Sequence, residues 1–206
     1  QWKQGIQGYL ASIAFADAML GRALDALEKG PNRDNTIVVL WSDHGWHLGE
    51  KERWAKRSLW EDGVRVPLII AAPEFKTGQT SKRPVGLIDI FPTLLDLTGL
   101  PPKNDLEGRS LRPLLTSPNA DWDRPILSTF CPNNHSLRST DFHYIRYGDG
   151  SEELYDMRTD LHEWHNLAGD KHFTETIANL RKRLPKKNQP AIRSDWEGWE
   201  IQAWEK

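Results

Sequence analysis

Apolar and polar positions divide the chain into a few well-marked segments. From Ile6 the residues Ile6, Leu10, Ile13, Leu20, Leu24 and Leu27 fall on one face at helical spacing, and Gly30-Pro31 ends the pattern. This predicts one amphipathic helix of about six turns. The run Thr36-Ile37-Val38-Val39-Leu40-Trp41 does not alternate and is rich in β-branched residues, which predicts a strand buried on both faces, as in parallel sheets. A second strand is expected over Val64-Arg65-Val66-Pro67-Leu68-Ile69-Ile70-Ala71, its proline early, where a ladder hydrogen bond can be spared. Residues 86–97 predict a helix with Ile88, Phe91, Leu94 and Leu95 on one face, Pro92 near the first turn and Gly99 past the end.

Residues 117–124 are polar and turn-rich, and beyond them the pattern changes to short strands at 126–130, 143–147 and 152–155, the last two joined by an Asp149-Gly150 turn. A helix over about 173–184 follows, with a basic end at 181–187 that suits the helix dipole. A tail carrying Trp196, Trp199 and Trp204 closes the sequence. We place a boundary in the polar stretch, giving domains over residues 1–120 and 121–206.

Composition narrows the function classes. The 206 residues are 38% hydrophobic and 27% charged, which suits a globular protein with a sizeable core. No apolar run approaches the roughly 20 residues of a membrane-spanning helix. A net charge of −2 gives no global reason to bind nucleic acid or an anionic membrane, so any anion site must be built locally. One cysteine, Cys131, excludes an internal disulfide or a thiolate metal site made by this chain alone. The chain opens at Gln1 with no initiator Met and no signal-like segment, and reads as the middle of something longer.

The chemistry gathers at the end of the first strand, in Ser42-Asp43-His44-Gly45, where open α/β sheets place their ligands. Asp43 offers a carboxylate and His44 an imidazole on adjacent residues of a tight turn, an arrangement that holds a divalent cation. The alternative is an Asp capping the next element beside a His satisfied in the wall. Lys56 comes thirteen residues after Asp43, beyond a loop with Gly49 and Glu50 that can fold its ammonium back over the cation. A cation with a lysine makes a pocket for a tetrahedral oxyanion.

Ser42-Asp43-His44-Gly45-Trp46, Leu48-Gly49-Glu50 and Trp54-Ala55-Lys56 together resemble the sulfatase family, most closely its iduronate-2-sulfatase-like branch. Further segments agree: Tyr9-Leu10-Ala11-Ser12-Ile13, Val66-Pro67-Leu68-Ile69, Asp89-Ile90-Phe91-Pro92-Thr93, Gly108-Arg109-Ser110-Leu111 and Glu153-Leu154-Tyr155-Asp156. The resemblance runs to about residue 170. It implies an α/β fold, the later half of an alkaline-phosphatase-like sulfatase domain, followed by a small antiparallel-sheet subdomain with a packed helix. It also implies a mechanism in which a formylglycine hydrate attacks sulfur, calcium neutralises the sulfate oxygens, and a lysine and a histidine assist the leaving oxygen. On that mapping Asp43 and His44 lie at the metal and Lys56 contacts sulfate. Calcium prefers oxygen ligands, which fits Asp43; His44 either ligates or hydrogen-bonds a sulfate oxygen or the aldehyde hydrate.

The family nucleophile forms in a Cys-x-Pro-x-Arg motif, and Cys131-Pro132-Asn133-Asn134-His135 does not fit it, so Cys131 reads as a structural or loop thiol. The chain is then expected to lack the nucleophile, to need a missing amino-terminal segment or chain, and to be inactive alone. Asn134-His135-Ser136 and Arg138 resemble the stretch that reaches the pocket rim in this branch, where His135 and Arg138 would meet a second anionic group on a sugar; a polar loop feeding a strand is the alternative. Of ten tryptophans, Trp46, Trp54 and Trp60 lie near the motif, where indoles stack on sugar rings or fill the core. His47 reads as merely exposed.

The expected activity is hydrolysis of sulfate esters of a sulfated carbohydrate, in a periplasmic, lysosomal or secreted location. Two other readings stay open: a phosphatase or phosphonate hydrolase of the same superfamily, and a catalytically dead glycan-binding module.

Overall fold

The computed structural model describes residues 1–188, so the calls on Trp196, Trp199 and Trp204 lie outside the described residues. The described residues divide into two compact units, the second beginning at Leu127.

The first unit opens with helix α1, Trp2–Glu28, which starts four residues before the apolar pattern and runs through Gly5. It stops at Gly30, whose N–H donates to Leu27 O at 2.9 Å. No residue of α1 is buried, and Leu10, Ile13, Phe15 and Leu24 are exposed. Strand β1, Val38–Trp41, pairs antiparallel with β4, Leu68–Ala71, placing Val39 opposite Ile70 and Leu40 opposite Ile69. This corrects the expectation of a doubly buried strand in a parallel sheet: Trp41 is 50% and Ile69 57% exposed. An unbroken apolar run records that both faces seek cover, without recording which element supplies it. Strand β4 begins only at Leu68, because Val64 ends the one-turn helix α2, Glu61–Val64, and Pro67 has no N–H for a ladder.

Helix α3, Ile90–Leu97, follows a 3-10 turn at Leu87–Asp89, and Gly99 lies just past its end as the pattern predicts. Helix α4 spans Arg112–Thr116. Leu111, Leu114 and Trp122 form a core with Leu68 and Ile70 of β4 and with Val85, and the Trp122 indole N–H donates to Pro84 O at 3.0 Å. The motif residues Asp89 and Thr93 are structural. Asp89 is fully buried and accepts from Gly86 N at 2.9 Å, Arg109 N at 2.8 Å and Arg124 Nη1 at 2.5 Å. Thr93, one turn on, donates to Asp89 O and accepts from Leu111 N at 2.8 Å. Their spacing puts both on the helix face that meets Gly108-Arg109-Ser110-Leu111.

The second unit is a four-stranded sheet in the order β5 (Ile126–Thr129), β6 (His135–Arg138), β7 (Phe142–Arg146), β8 (Glu152–Asp156). Strands β6 to β8 pair antiparallel, and the Asp149-Gly150 turn joins β7 to β8. Helix α5, Thr174–Arg181, lays Ile177 and Leu180 on Leu137, Tyr144 and Leu154. It ends before residue 184, where the pattern placed its end, and Arg181 makes a two-pronged pair with Glu152 at 2.9 and 2.7 Å.

The fold is thus a mixture of helices with small antiparallel sheets, and the predicted chemistry sits at the end of β1.

Candidate active site

Beyond Trp41 the chain turns through Ser42-Asp43-His44-Gly45. Ser42 Oγ donates to His44 O at 3.0 Å, and His44 N donates to Asp43 Oδ1 at 3.1 Å, so the turn is closed by its own side chains. Gly45 is required sterically: its N–H donates to Gly63 O at 3.0 Å, and a Cβ there would lie 2.1 Å from Asp62 O. The turn therefore rests directly on α2 with no room for a side chain.

A hairpin carries Lys56 back to this turn. Strand β2, His47–Leu48, pairs with β3, Trp54–Ala55. The link turns at Gly49, whose φ of 122° suits glycine and which lies under the Trp2 ring of α1. Glu50 Oε2 accepts from Leu48 N at 2.6 Å and pins the turn.

The result is a three-residue cluster. Lys56 Nζ lies 2.8 Å from His44 Nε2, and His44 Nε2 lies 3.5 Å from Asp43 Oδ2. His44 Nδ1 is 2.8 Å from Gly45 O. A carbonyl only accepts, so Nδ1 carries the proton and Nε2 presents its lone pair, here to the Lys56 ammonium. Asp43 Oδ2 and His44 Nε2 are then two acceptors turned toward one another, a spacing that a shared cation bridges. Asp43 is mostly exposed and His44 about one-third exposed, so both face solvent or a ligand. The donor set fits part of a calcium site: the ion takes about six to eight oxygen ligands, of which Asp43 supplies one carboxylate.

Trp46 stacks between Tyr9 of α1, at a centroid distance of 6.1 Å, and His44, at 6.2 Å, and so backs the imidazole. Trp54 is about half exposed, while Lys51 and Arg53 lie over the Trp60 ring. His47 corrects a prediction: it is only 1% exposed, with Nε2 2.7 Å from Ser58 Oγ. No alternation marks its position, so its burial had no signal in the pattern. Its ring, Glu50 and Asp62 each bring one ligand atom within 4.8 Å of the others, a second arrangement able to hold a cation.

His135 and Arg138 lie in the second unit. His135 is 5% exposed on β6, its Nδ1 2.9 Å from Thr129 Oγ1 and its Nε2 2.5 Å from Asn188 Oδ1. Arg138 Nη1 donates to the backbone carbonyls of Ser139 and Thr140. Cys131 is exposed in the β5–β6 turn and forms no disulfide.

Comparison with known proteins gives the cluster its context. Residues 1–100 match the family model described as Sulfatase. A sulfatase of Formosa agariphila is 43% identical over 188 residues, covering 91% of this chain and 37% of that protein. A structure solved in complex with its substrate D-glucosamine-2-N,6-O-disulfate shares 34% identity at a TM-score of 0.78, covering 84% of this chain and 38% of that one. A phosphonate monoester hydrolase from Silicibacter pomeroyi shares 29% identity at a TM-score of 0.72, covering 81% of this chain and 37% of that one. The family match over the residues that build the cluster, with these likenesses along most of the chain, means that the chain belongs to the sulfatase family. It spans a little over a third of the length of the proteins it matches.

Proposed function

We propose that this chain is part of a sulfatase that hydrolyses sulfate esters of a sulfated carbohydrate, in which Asp43 and His44 contribute to a calcium site and Lys56 contacts the sulfate. The observation that carries the reading is the approach of Lys56 Nζ to His44 Nε2 at 2.8 Å beside Asp43, three polar groups drawn from one short segment. When bound, calcium supplies positive charge to the sulfate oxygens. The chain's own part is positional. Asp43 and the Nε2 lone pair of His44 are fixed by the turn, Trp46 holds the imidazole plane, and Lys56 presents an ammonium that stabilises anionic oxygens as charge develops on the leaving group. Trp46, stacked on His44, is a candidate sugar contact. The burial of His135 and its two partners, and the backbone partners of Arg138, favour the alternative for that pair, a polar segment feeding a strand.

The carbohydrate assignment draws on the glucosamine disulfate complex, and the iduronate-2-sulfatase-like branch on the motif resemblance. The chain carries no Cys-x-Pro-x-Arg motif, so the formylglycine nucleophile and the remaining calcium ligands belong to an additional segment or chain. A location outside the cytoplasm follows from the family resemblance alone.

A second reading, phosphonate ester hydrolysis, is favoured by the likeness to the phosphonate monoester hydrolase. The motif set Ser42-Asp43-His44-Gly45-Trp46 with Trp54-Ala55-Lys56 favours the sulfatase. The test is an arylsulfatase assay of purified residues 1–206 with and without an added amino-terminal portion. The account requires no turnover by the chain alone, and turnover by it refutes the division of the site.

A further inference from the structure

The side chain of Lys56 has four rotatable bonds and no burial of its own, yet its ammonium meets one atom, His44 Nε2. Something must fix the backbone from which it springs. The residue before it, Ala55, has a φ of +84°, a left-handed conformation that is strained for a non-glycine residue and persists only where its surroundings enforce it. The surroundings are contributed by His47. Its backbone lies opposite Ala55 in the β2–β3 pair, one residue before Lys56. Its imidazole Nε2 reaches Ser58 Oγ at 2.7 Å, two residues after Lys56. Ser58 is itself held: it is buried against Gly63 of α2, where an added Cβ would meet its Oγ at 2.3 Å. The edge of the Trp60 ring closes the other side of His47.

We infer that His47 is the positioning residue for Lys56, gripping the chain on both sides of the lysine through its pairing with Ala55 and its hydrogen bond to Ser58. The strained Ala55 and the exposed Lys56 are thereby a matched pair: the clamp holds the first so that the second points at His44. This rests on the reading of Lys56 as the sulfate contact, but the clamp is read without any anion. In this role His47 acts only through Lys56.

The test uses the full chain with isotopically labelled lysine and histidine, and follows the nuclear Overhauser contact between the Lys56 Hε protons and the His44 ring Hε1. The contact is expected in the parent chain and in His47→Gln, whose amide occupies the place of Nε2, and is expected to be lost in Ser58→Ala. Persistence in Ser58→Ala, or loss in a folded His47→Gln, overturns the inference. A measurement that needs no variant accompanies it. The Lys56 side-chain methylenes are expected to be more ordered than those of the exposed Lys29 just past α1, and equal mobility overturns the inference. Inorganic sulfate is then added as a separate arm. An absent sulfate response with the clamp behaving as stated counts against the functional reading and leaves the positioning role standing.

Discussion

Lys56 Nζ donates to His44 Nε2 across 2.8 Å, although twelve residues separate the two in sequence. The contact depends on a tautomer. The bond from His44 Nδ1 to Gly45 O keeps the proton off Nε2, which leaves the lone pair facing Lys56 and, at 3.5 Å, Asp43 Oδ2.

Asp43 is the carboxylate in this pair, and charge count governs calcium affinity. Asp43→Asn in the assembled enzyme is expected to weaken calcium binding by roughly tenfold or more, read by calorimetry, while leaving the unfolding midpoint close to that of the parent because the side chain is exposed. An unchanged affinity places the ion elsewhere, with His47, Glu50 and Asp62 as the next set to vary.

Gly45→Ala introduces a Cβ 2.1 Å from Asp62 O. Overpacking of this kind costs about 1–3 kcal/mol, and backbone cannot step aside as a flexible side chain does. A lowered urea midpoint together with loss of activity is expected. Retention of both shows that the turn relaxes freely.

Asp89 offers a stability test remote from the cluster. Asp89→Ala leaves the Arg124 guanidinium and the N–H groups of Gly86 and Arg109 without their buried acceptor, a loss of about 3–5 kcal/mol by analogy with broken buried pairs. Urea unfolding of Asp89→Ala beside Arg124→Met checks it, since the second variant removes the cation and spares the two backbone bonds.

The second unit carries a pH dependence of known sign. Burial, reinforced by the hydrogen bond to Glu152, pushes the Tyr144 hydroxyl up from 10.0 to about 12, and burial with Glu153 raises Tyr155 further. A folded pKa above the unfolded one contributes stability that is fully present below about pH 10 and is lost as pH rises toward about 12. Urea midpoints are therefore expected to hold up to pH 10 and fall above it, with a shallower fall in Tyr144→Phe. A midpoint independent of pH across that window contradicts the burial of these hydroxyls.

Much of the fold was legible because local rules and tertiary structure agree. Helix α1 has one apolar stripe and a Gly-Pro stop, α3 has Pro92 near its start and Gly99 past its end, and Asp149-Gly150 announces its hairpin. Strand β6 was missed because Asn134-His135-Ser136-Leu137-Arg138 is polar, and its His135 is buried between specific partners, Thr129 on the neighbouring strand and Asn188 far along the chain. The partner of β1 was misread because apolar content fixes burial without fixing direction. At the site, Asp43, His44 and Lys56 were visible as residue types at a spacing. The clamp at His47 was not, because it depends on a left-handed Ala55 and on a serine packed against Gly63, neither of which leaves a periodic mark.

If the nucleophile comes from another segment, intact-mass analysis of the native preparation is expected to reveal a second polypeptide, or a longer one containing this sequence, that bears a Cys-to-formylglycine mass loss. A lone, unmodified 23.7 kDa chain with activity contradicts this division.

The most direct test compares hydrolysis of a sulfated glucosamine and of a phosphonate monoester by the assembled enzyme, with Lys56 intact and as Lys56→Ala. The account predicts a higher kcat/KM for the sulfate ester and a fall of about 10²–10³ in kcat on losing the lysine, the scale of removing one stabiliser of a developing oxyanion. Preference for the phosphonate, or a Lys56→Ala enzyme as fast as its parent, contradicts it.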